Sequence, residues 1–439
     1  MRQGFARLLF AALGAILLGC SPTKKLVRHL EGQLNAPAFE RQFTGVLLLD
    51  AETRDTLVAY NASKPFIPAS NVKLLTLYTG LNMLPDKLPA LKYHQAGDTL
   101  YILGTGYPAT LEPFFKDSTV LKFLGTAKKV IIENGNLESA AYGPGWAWDD
   151  YRSAYMLQRS AMPIYGNVRT LFWENNAVQV VPPELPRKAG PADYAIEQIT
   201  PANLPRRIPE LGDTLYFPIS SRPEVERTRW QYATSKYLGR PVFWVSRDQD
   251  GEADPGGLAT TAYSILPGIT ADTLYGRMMQ TSDNFLAEQI MLMASSTLGD
   301  SLSFEKAKTY ALEQLLPGLP QEPRWVDGSG LSRYNLISPA ALVYLLDRMY
   351  QEIPRERLFG LLASGKAQGT LDGMYLEDDA PFVYAKTGTL SNNHNLSGYL
   401  LTRSGKTVIF SFMNNHYQEP TSVVKARMAG WLREVYERY

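Results

Sequence analysis

Residues 65–75 read PFIPASNVKLL, and the interpretation of the whole chain depends on this stretch. Pro68 and the small residues after it predict the start of a helix that carries Ser70 in its first turn. Side chains three positions apart share one face of a helix, so the hydroxyl of Ser70 and the amine of Lys73 can meet. A serine is a strong nucleophile once a base takes its proton, and lysine can be that base when burial or another cation lowers its pKa. A lone Ser-x-x-Lys also fits an ordinary solvated helix start.

Two further motifs in the second half of the chain favour the catalytic interpretation. Residues 282–284 read SDN inside a predicted helix over residues 274–298, and residues 386–389 read KTGT at the end of a predicted strand over residues 382–386. Ser-x-x-Lys, Ser-Asp-Asn and Lys-Thr-Gly, in this order, are the motifs of serine β-lactamases and penicillin-binding proteins. A chance occurrence of all three in order is improbable, so the sequence predicts a serine enzyme that forms an acyl intermediate.

The chain resembles the low-molecular-mass class C penicillin-binding proteins, the D-alanyl-D-alanine carboxypeptidase/endopeptidase family. The resemblance runs from about residue 43 to the C-terminus and extends beyond the three motifs. The segments that carry it are NASKPFIPAS at residues 61–70, GPGWAWDDY at 143–151, DGSGLSR at 327–333 and QGTL at 368–371. A large insert after the serine helix is itself a trait of this family.

The predicted fold class is α+β, with an antiparallel sheet flanked by helices as in β-lactamases and DD-peptidases. A hairpin over residues 43–50 and 56–60, strands at 396–403 and 407–413, and a C-terminal amphipathic helix would form this domain. Between them, short strand-like runs alternate with Gly/Pro-rich turns and long helical periodicity is absent, which indicates a β-rich insert. The predicted domains are a leader at residues 1–20, a discontinuous catalytic domain at 26–90 and 255–439, and the insert at 91–254.

The resemblance implies three catalytic residues. Ser70 would attack the carbonyl between two D-alanines and hold the acyl group. Lys73 would take the proton of Ser70, although the identity of that base is disputed among relatives. Ser282 would relay a proton to the leaving amine.

Five residues would bind the substrate by the same resemblance. Asn284 would hold a substrate amide and help to position Lys73. Lys386 would supply positive charge near the terminal carboxylate, and Thr387 a hydroxyl donor to it. Gly388 would let the substrate backbone lie close to the strand. The backbone N–H of Thr389, with that of the nucleophilic serine, would form the oxyanion hole.

Asp149 and Arg333 are further candidates, in segments that lie near the pocket for the peptide stem in this family. An acidic group there would suit the free amine of a diaminopimelate side chain. Asp149 could equally be a turn or cap carboxylate, and Asp327 and Ser329 are interpreted as residues of a structural loop.

The N-terminus predicts export. Arg2 and Arg7 precede an apolar run over residues 8–18, which is too short to span a bilayer and is typical of a secretory signal. Residues 17–20 read LLGC, which resembles the bacterial lipobox in which the cysteine is lipidated. Cys20 is the only cysteine, so the exported protein would have no internal disulfide. An ordinary signal peptide with a chance cysteine is the alternative.

Composition excludes several other classes of protein. The 439 residues carry 44 Lys and Arg against 43 Asp and Glu, so nothing indicates a nucleic-acid partner or a polybasic membrane patch. The four histidines are scattered and have no cysteine partners, and no Gly-rich phosphate loop is present. We therefore expect neither a metal nor a cofactor.

The sequence thus predicts a serine D-Ala-D-Ala carboxypeptidase, a DD-endopeptidase, or both, anchored by a lipid at Cys20 on the periplasmic side of a bacterial envelope. Its partners would be peptidoglycan stem peptides, in cell-wall synthesis and remodelling, and β-lactams, which should acylate Ser70. A serine β-lactamase is the closest alternative, although the long insert and the lack of a Glu-x-x-x-Asn type segment are unexpected for class A enzymes. A non-catalytic peptidoglycan-binding lipoprotein is the alternative from another class, although its three motifs would be intact.

Overall fold

The structure, a computed structural model, describes residues 22–174, 177–182, 214–240, 242–246, 263–366 and 368–439. The predicted leader with Cys20 and a predicted strand over residues 194–199 lie outside the described residues. The helices in the described ranges are α1 (Pro22–Leu34), α2 (Pro37–Glu40), α3 (Lys73–Met83), α4 (Thr119–Leu124), α5 (Pro223–Leu238), α6 (Ala271–Thr281), α7 (Asn284–Ser295), α8 (Phe304–Tyr310), α9 (Pro339–Glu352), α10 (Arg355–Leu361) and α11 (Thr421–Arg438). None of the helices in this part of the chain is long and apolar enough to cross a membrane.

The strands in these ranges form four sheets. They are β1 (Phe43–Asp50), β2 (Thr56–Tyr60), β3 (Lys87–Ala96), β4 (Thr99–Leu103), β5 (Lys129–Asn134), β6 (Val168–Glu174), β7 (Ala177–Val181), β8 (Thr214–Pro218), β9 (Phe243–Ser246), β10 (Ser264–Thr270), β11 (Ala363–Ser364), β12 (Leu376–Glu377), β13 (Ala380–Pro381), β14 (Val383–Leu390), β15 (Asn393–Leu401) and β16 (Thr407–Asn415).

The largest sheet has six strands in the order β11-β14-β15-β16-β1-β2, and every neighbouring pair is antiparallel. The β1–β2 hairpin matches the one predicted from the sequence. Strand β16 pairs with β1 along all eight residues of β1, which joins the N-terminal and C-terminal parts of the chain in one sheet. The mixture of this sheet with packed helices confirms the predicted α+β class.

Both faces of this sheet are covered, because side chains alternate between two cores along each central strand. Val46 and Leu48 pack in a core with Leu30 of α1 and Trp431 of α11. Leu47, on the opposite face of β1, packs against the core that contains α3 and α9. Helices α1 and α11 therefore cover one face of the sheet, and α3, which follows Ser70, lies on the other face.

A second sheet lies mostly in the predicted insert and has the order β10-β3-β4-β5-β9. Strands β10, β3 and β4 are antiparallel neighbours, whereas β4, β5 and β9 run parallel. Strands β7, β6 and β8 form a separate antiparallel sheet. The division of the chain at residues 90 and 255 stays a prediction.

Helix α5 corrects the expectation that this region lacks long helices. It begins with Pro223 in its first turn and ends at Gly239, which adopts the left-handed conformation (φ 70°) that terminates many helices. Its buried face includes Glu226 and Arg229 beside Trp230, so charged residues interrupt the apolar period that identifies a helix in a sequence.

The helix predicted over residues 274–298 is also two helices. It breaks at Ser282, which has φ 61° and ψ 38° and ends α6 in the left-handed region. The side chain of Asp283 then accepts a hydrogen bond from the backbone N–H of Leu286 and caps α7. Because of this break, Ser282 and Asn284 lie at the corner between α6 and α7 instead of inside one helix.

Candidate active site

The first motif forms the pair that its spacing predicts. Ser70 lies in a short 3-10 turn, Ala69–Val72, and Lys73 is the first residue of α3. Nζ of Lys73 donates a hydrogen bond of 2.9 Å to Oγ of Ser70. Ser70 is half-buried and Lys73 has no exposed surface, so the hydroxyl can be reached while the amine is shielded.

Lys73 has three hydrogen-bond acceptors around its nitrogen. Besides Oγ of Ser70, Nζ lies 2.6 Å from Oδ1 of Asn284 and 2.7 Å from the backbone oxygen of Ser329. Asn284 belongs to the second motif, and Ser329 lies in the loop with the sequence Gly-Ser-Gly at residues 328–330 (the Gly-Ser-Gly loop). Both therefore contact the lysine of the first motif. A fixed amine of this kind is positioned to exchange a proton with the serine.

Burial lowers the pKa of Lys73 from 10.5 to about 8, although the negative charges of Asp327, Asp283 and Glu288 act in the opposite direction. Removal of the ammonium from water penalises its charged form more than these three carboxylates stabilise it. A substantial fraction of Lys73 is therefore neutral near pH 8 and available as a base.

The second serine is bonded to the third motif. Nζ of Lys386 donates a hydrogen bond of 2.9 Å to Oγ of Ser282 and one of 2.7 Å to the backbone oxygen of Thr387. Burial, and the neighbouring cation of Lys73, hold the pKa of Lys386 well below its usual value. The structure thus contains two lysine–serine pairs at one location.

Strand β14 presents an open edge beside the serine. Its neighbour β11 pairs only with Tyr384 and Ala385, so within the described residues no strand pairs with residues 386–390 on that side. A Cβ atom at Gly388 would lie 2.4 Å from the backbone oxygen of Pro68 and 3.2 Å from the backbone nitrogen of Ser70. Glycine is required there because the strand and the serine turn approach each other so closely.

Asn71 holds the strand against the turn. Its side-chain amide donates to the backbone oxygen of Lys386 at 2.7 Å, and Oγ of Ser397 on β15 donates to its carbonyl oxygen at 2.9 Å. Asn71 is fully buried. Asn71 lies between Ser70 and Lys73 in the sequence, but no spacing rule marks it as a site residue.

The loop over residues 327–335 is organised by the buried carboxylate of Asp327. It accepts hydrogen bonds from the backbone of Gly330 and Ser332 and from the side chains of Trp146 and Asn335, all between 2.7 and 2.8 Å. Burial, together with the nearby carboxylate of Glu288, raises the pKa of Asp327. The loop has the structural role expected for it, but its Ser329 carbonyl also reaches the active-site lysine.

Two charged residues near the site were not identified from the sequence. Glu288 and Arg159 form a buried ion pair, with 2.7 Å between Nη2 of Arg159 and Oε2 of Glu288. Glu288 lies four positions after Asn284 on α7, so helical spacing could have pointed to it. Arg159 comes from the predicted insert, and no local pattern connects it with the motifs.

The remaining candidates are surface residues. The side chain of Asp149 is exposed in a 3-10 turn, Trp148–Arg152. Arg333 is exposed and donates to the backbone oxygen of Ser391 at 3.3 Å, just beyond β14. Thr389 is exposed, and its hydroxyl lies 2.8 Å from Nδ1 of the buried His394. Neither Asp149 nor Arg333 is hydrogen-bonded to the serine–lysine cluster.

The comparison with protein families identifies the chain. The sequence profile of the D-Ala-D-Ala carboxypeptidase 3 (S13) family matches residues 26–207 and 272–435. The chain belongs to this family. Membership of the S13 family confirms the resemblance to low-molecular-mass class C penicillin-binding proteins.

Individual relatives match shorter parts of the chain. Carboxypeptidase DacB of Mycolicibacterium smegmatis is 32% identical over 149 residues, which cover 32% of this chain and 32% of that protein. D-alanyl-D-alanine carboxypeptidase DacB of Haemophilus influenzae is 28% identical over 152 residues, which cover 33% of this chain and 31% of that protein. The chain therefore matches about a third of the length of these two curated relatives.

A solved structure matches over most of the chain. The crystal structure of penicillin binding protein 4 (dacB) from Haemophilus influenzae has a TM-score of 0.68 and 20% identity, and covers 93% of this chain and 98% of that one. The likeness confirms the α+β fold. Within the described residues, no group of three or more His, Cys, Asp or Glu side chains is arranged to hold a metal ion.

Proposed function

We propose that this protein is a serine D-Ala-D-Ala carboxypeptidase, a DD-endopeptidase, or both, and that it acts on peptidoglycan stem peptides through an acyl-enzyme on Ser70. The observation that carries the proposal is the contact between Lys73 and Ser70. A fully buried amine with a pKa near 8 lies 2.9 Å from a reachable serine hydroxyl. This geometry is that of a nucleophile beside its base.

Acylation begins with neutral Lys73. Two of its hydrogens stay directed at Oδ1 of Asn284 and the backbone oxygen of Ser329, and its lone pair accepts the O–H of Ser70. As Oγ of Ser70 bonds to the carbonyl carbon between two D-alanines, its proton passes to Nζ. The carbonyl oxygen becomes an oxyanion that the backbone N–H groups of Ser70 and Thr389 stabilise.

The tetrahedral intermediate then collapses. The carbon–nitrogen bond breaks, the acyl group remains on Ser70 as an ester, and the leaving amine takes a proton from Ser282. Lys386 reprotonates Ser282 through the hydrogen bond between them. Water attacks the ester in the second half of the reaction, and its proton passes through Ser282 to Lys386, which gave one up in the first half. Lys73 returns its proton to Oγ of Ser70, so the acid and the free serine are released and both lysines regain their starting states.

Substrate binding uses the open edge of β14. The peptide lies along residues 386–390 as an added strand, and Gly388 leaves it room to approach. Lys386 and the hydroxyl of Thr387 bind the terminal carboxylate. Asp149 and Arg333, which are exposed, bind the diamino acid of the stem.

The protein's location follows from the leader. A lipid on Cys20 anchors it to a bacterial membrane on the periplasmic side, where stem peptides are found. The test is metabolic labelling with a palmitate analogue. Label on the full chain, absent from Cys20→Ser, supports the anchor, and an unlabelled protein contradicts it.

The experiment that tests the activity is labelling of the detergent-solubilised full chain with a fluorescent penicillin, beside Ser70→Ala. We expect a stoichiometric, stable adduct that is absent from the variant, and release of D-alanine or cleavage of cross-links from muropeptides. Many turnovers of nitrocefin per Ser70 would instead indicate a β-lactamase. A folded protein that forms no adduct and cleaves no muropeptide would indicate a peptidoglycan-binding lipoprotein.

A further inference from the structure

A buried ion pair between Arg159 and Glu288 lies near the active-site lysine, Lys73. Nε and Nη2 of Arg159 lie 2.9 Å and 2.7 Å from the same carboxylate oxygen, Oε2 of Glu288. The side chains of Arg159 and Glu288 are only 3% and 1% exposed. The Arg159 guanidinium also lies 5.6 Å from the ring centroid of Trp146 and 5.5 Å from that of Phe304. Such a pair is held in one geometry and shielded from solvent and salt.

The second carboxylate oxygen connects this pair to Lys73. Oε1 of Glu288 accepts the backbone N–H of Ser329 at 2.8 Å, and the carbonyl oxygen of Ser329 accepts Nζ of Lys73 at 2.7 Å. One residue therefore links the carboxylate to the lysine through its two backbone groups. A displacement of Glu288 would move an acceptor of the active-site amine.

The chain segment that carries Arg159 also orients Asn284. The backbone oxygen of Tyr155 accepts Nδ2 of Asn284 at 2.8 Å. Because Nδ2 is held there, Oδ1 of the same amide faces Nζ of Lys73 at 2.6 Å. The segment between β5 and β6 thus supports two of the three acceptors of the lysine.

The charges around Lys73 indicate that the Arg159–Glu288 pair has an electrostatic effect on this amine, besides holding its hydrogen-bond acceptors in place. Burial and the charge of Lys73 lower the pKa of the Lys386 amine on β14. The carboxylates of Asp283, Glu288 and Asp327 act on Lys73 from the α6–α7 corner, α7 and the Gly-Ser-Gly loop. Glu288 has Arg159 as its counterion. Loss of either charge changes the electric field at Nζ in a low-dielectric environment.

We propose that Arg159 and Glu288 are positioning residues that set the basicity of Lys73. Residues 135–167 of the predicted insert, which carry Arg159, then contribute to the function of the active site. This inference rests on the proposed function, because it needs Lys73 to be the base. Both side chains are buried, and neither is among the residues proposed to bind the substrate. Both act through the Ser329 backbone and through their charge.

The test measures the second-order rate constant for acylation of the full chain by a fluorescent penicillin from pH 6 to 10. Glu288→Gln removes an anion that stabilises protonated Lys73 and leaves Arg159 unpaired, so both effects favour the neutral amine. We expect the midpoint of the pH dependence to fall by at least about half a pH unit. In the double variant Arg159→Met/Glu288→Gln, the unpaired cation is gone and at least half of that shift is reversed.

A merely structural role for the pair predicts something different: slower acylation at every pH with an unchanged midpoint. That result, or equal midpoints in the single and double variants, would overturn the inference. Arg357→Met is the matched control, because Arg357 forms an exposed pair with Asp272 and its loss leaves the midpoint in place. Thermal unfolding establishes that each variant is folded.

Glu288→Gln breaks a buried pair and could fail to fold. Arg159→Met then carries the test, because it leaves the Glu288 carboxylate without its counterion and raises the midpoint. An unchanged or lower midpoint in this variant contradicts the inference. If wild-type protein is not acylated at any pH, the proposed function has failed; acylation without these shifts refutes only the role of the pair.

Discussion

Nζ of Lys386 donates a hydrogen bond of 2.9 Å to Oγ of Ser282, in parallel with the bond of the same length from Lys73 to Ser70. Each serine of the cluster therefore has its own lysine, and both lysines are fully buried. Burial and the charge of Lys73 hold the pKa of Lys386 well below its usual value, which disfavours the state in which both lysines are charged. The arrangement suits a reaction that takes a proton from one serine and delivers one through the other.

The backbone at Ser282 lets its hydroxyl be tested apart from the fold. Its φ of 61° lies in the left-handed region, which is unfavourable in energy for most residues and is adopted by glycine without steric strain. We expect Ser282→Gly to be at least as stable as wild type in thermal unfolding, while its acylation by penicillin falls by about 100-fold or more. Ser282→Ala should show the same loss of rate without the gain in stability. Acylation of both variants at the wild-type rate would rule out a proton relay through Ser282.

Gly388 allows a second prediction, because a Cβ there would meet the backbone oxygen of Pro68 at 2.4 Å. Gly388→Ala forces β14 away from the serine turn. We expect a loss of about 1–3 kcal/mol in the free energy of unfolding and more than tenfold slower acylation. Gly430→Ala is the control, since Gly430 is exposed in α11 with nothing within 4 Å of its added Cβ. Gly430→Ala should gain about 0.5–1 kcal/mol in the free energy of unfolding and keep full activity. If Gly388→Ala also keeps its stability and its rate of acylation, the close approach of β14 to the serine turn is not needed.

The sequence predicted those parts of the site that depend on local spacing. Ser70 and Lys73 meet because they are three positions apart at a helix start, and Gly388 follows the predicted strand over residues 382–386 within two positions. The corner at Ser282 was missed because residues 281–284 contain neither glycine nor proline. The helix-start signal there was Asp283, whose side chain caps α7. Arg159 was missed for another reason: its partner Glu288 is 129 positions away, and only the tertiary fold brings them together.

Helix α5 shows the same limit at the level of the fold. Its buried face carries Glu226 and Arg229, and the hydroxyl of Ser160 donates to Glu226. Burial raises the pKa of Glu226 to about 7. Hydrophobic periodicity predicts a helix when the buried face is apolar, and it fails when that face is stabilised by charged and polar contacts.

Asp149 provides a prediction about the substrate rather than the chemistry. Its exposed carboxylate should bind the free amine of the stem diamino acid, which penicillin lacks. Asp149→Asn should raise the KM for a diaminopimelate-containing peptide by about tenfold and leave penicillin acylation unchanged. Asp98→Asn, at an exposed aspartate paired with Lys128, is the control and should alter neither. An unchanged KM in Asp149→Asn would make this residue a turn or cap carboxylate.

The pH dependence of acylation tests the base itself. Burial lowers the pKa of Lys73 from 10.5 to about 8, so the amine is mostly protonated at pH 6 and mostly neutral at pH 9.5. Only the neutral form can accept the proton of Ser70. We therefore expect the rate constant for penicillin acylation to rise about tenfold per pH unit below the midpoint, to reach half its maximum near pH 8, and to level off above it.

Asn284→Asp should move that midpoint in a known direction. The substitution puts a carboxylate oxygen where the amide oxygen now lies 2.6 Å from Nζ of Lys73. An adjacent anion stabilises the ammonium and raises its pKa, so the midpoint should rise by about one pH unit or more. Acylation at pH 7 then falls at least about tenfold, whereas at pH 10 much of the rate returns because Lys73 is deprotonated again. A rate that stays low at every pH would mean that Asn284 acts by binding the substrate, and a midpoint that does not move would mean that the titrating group is not Lys73.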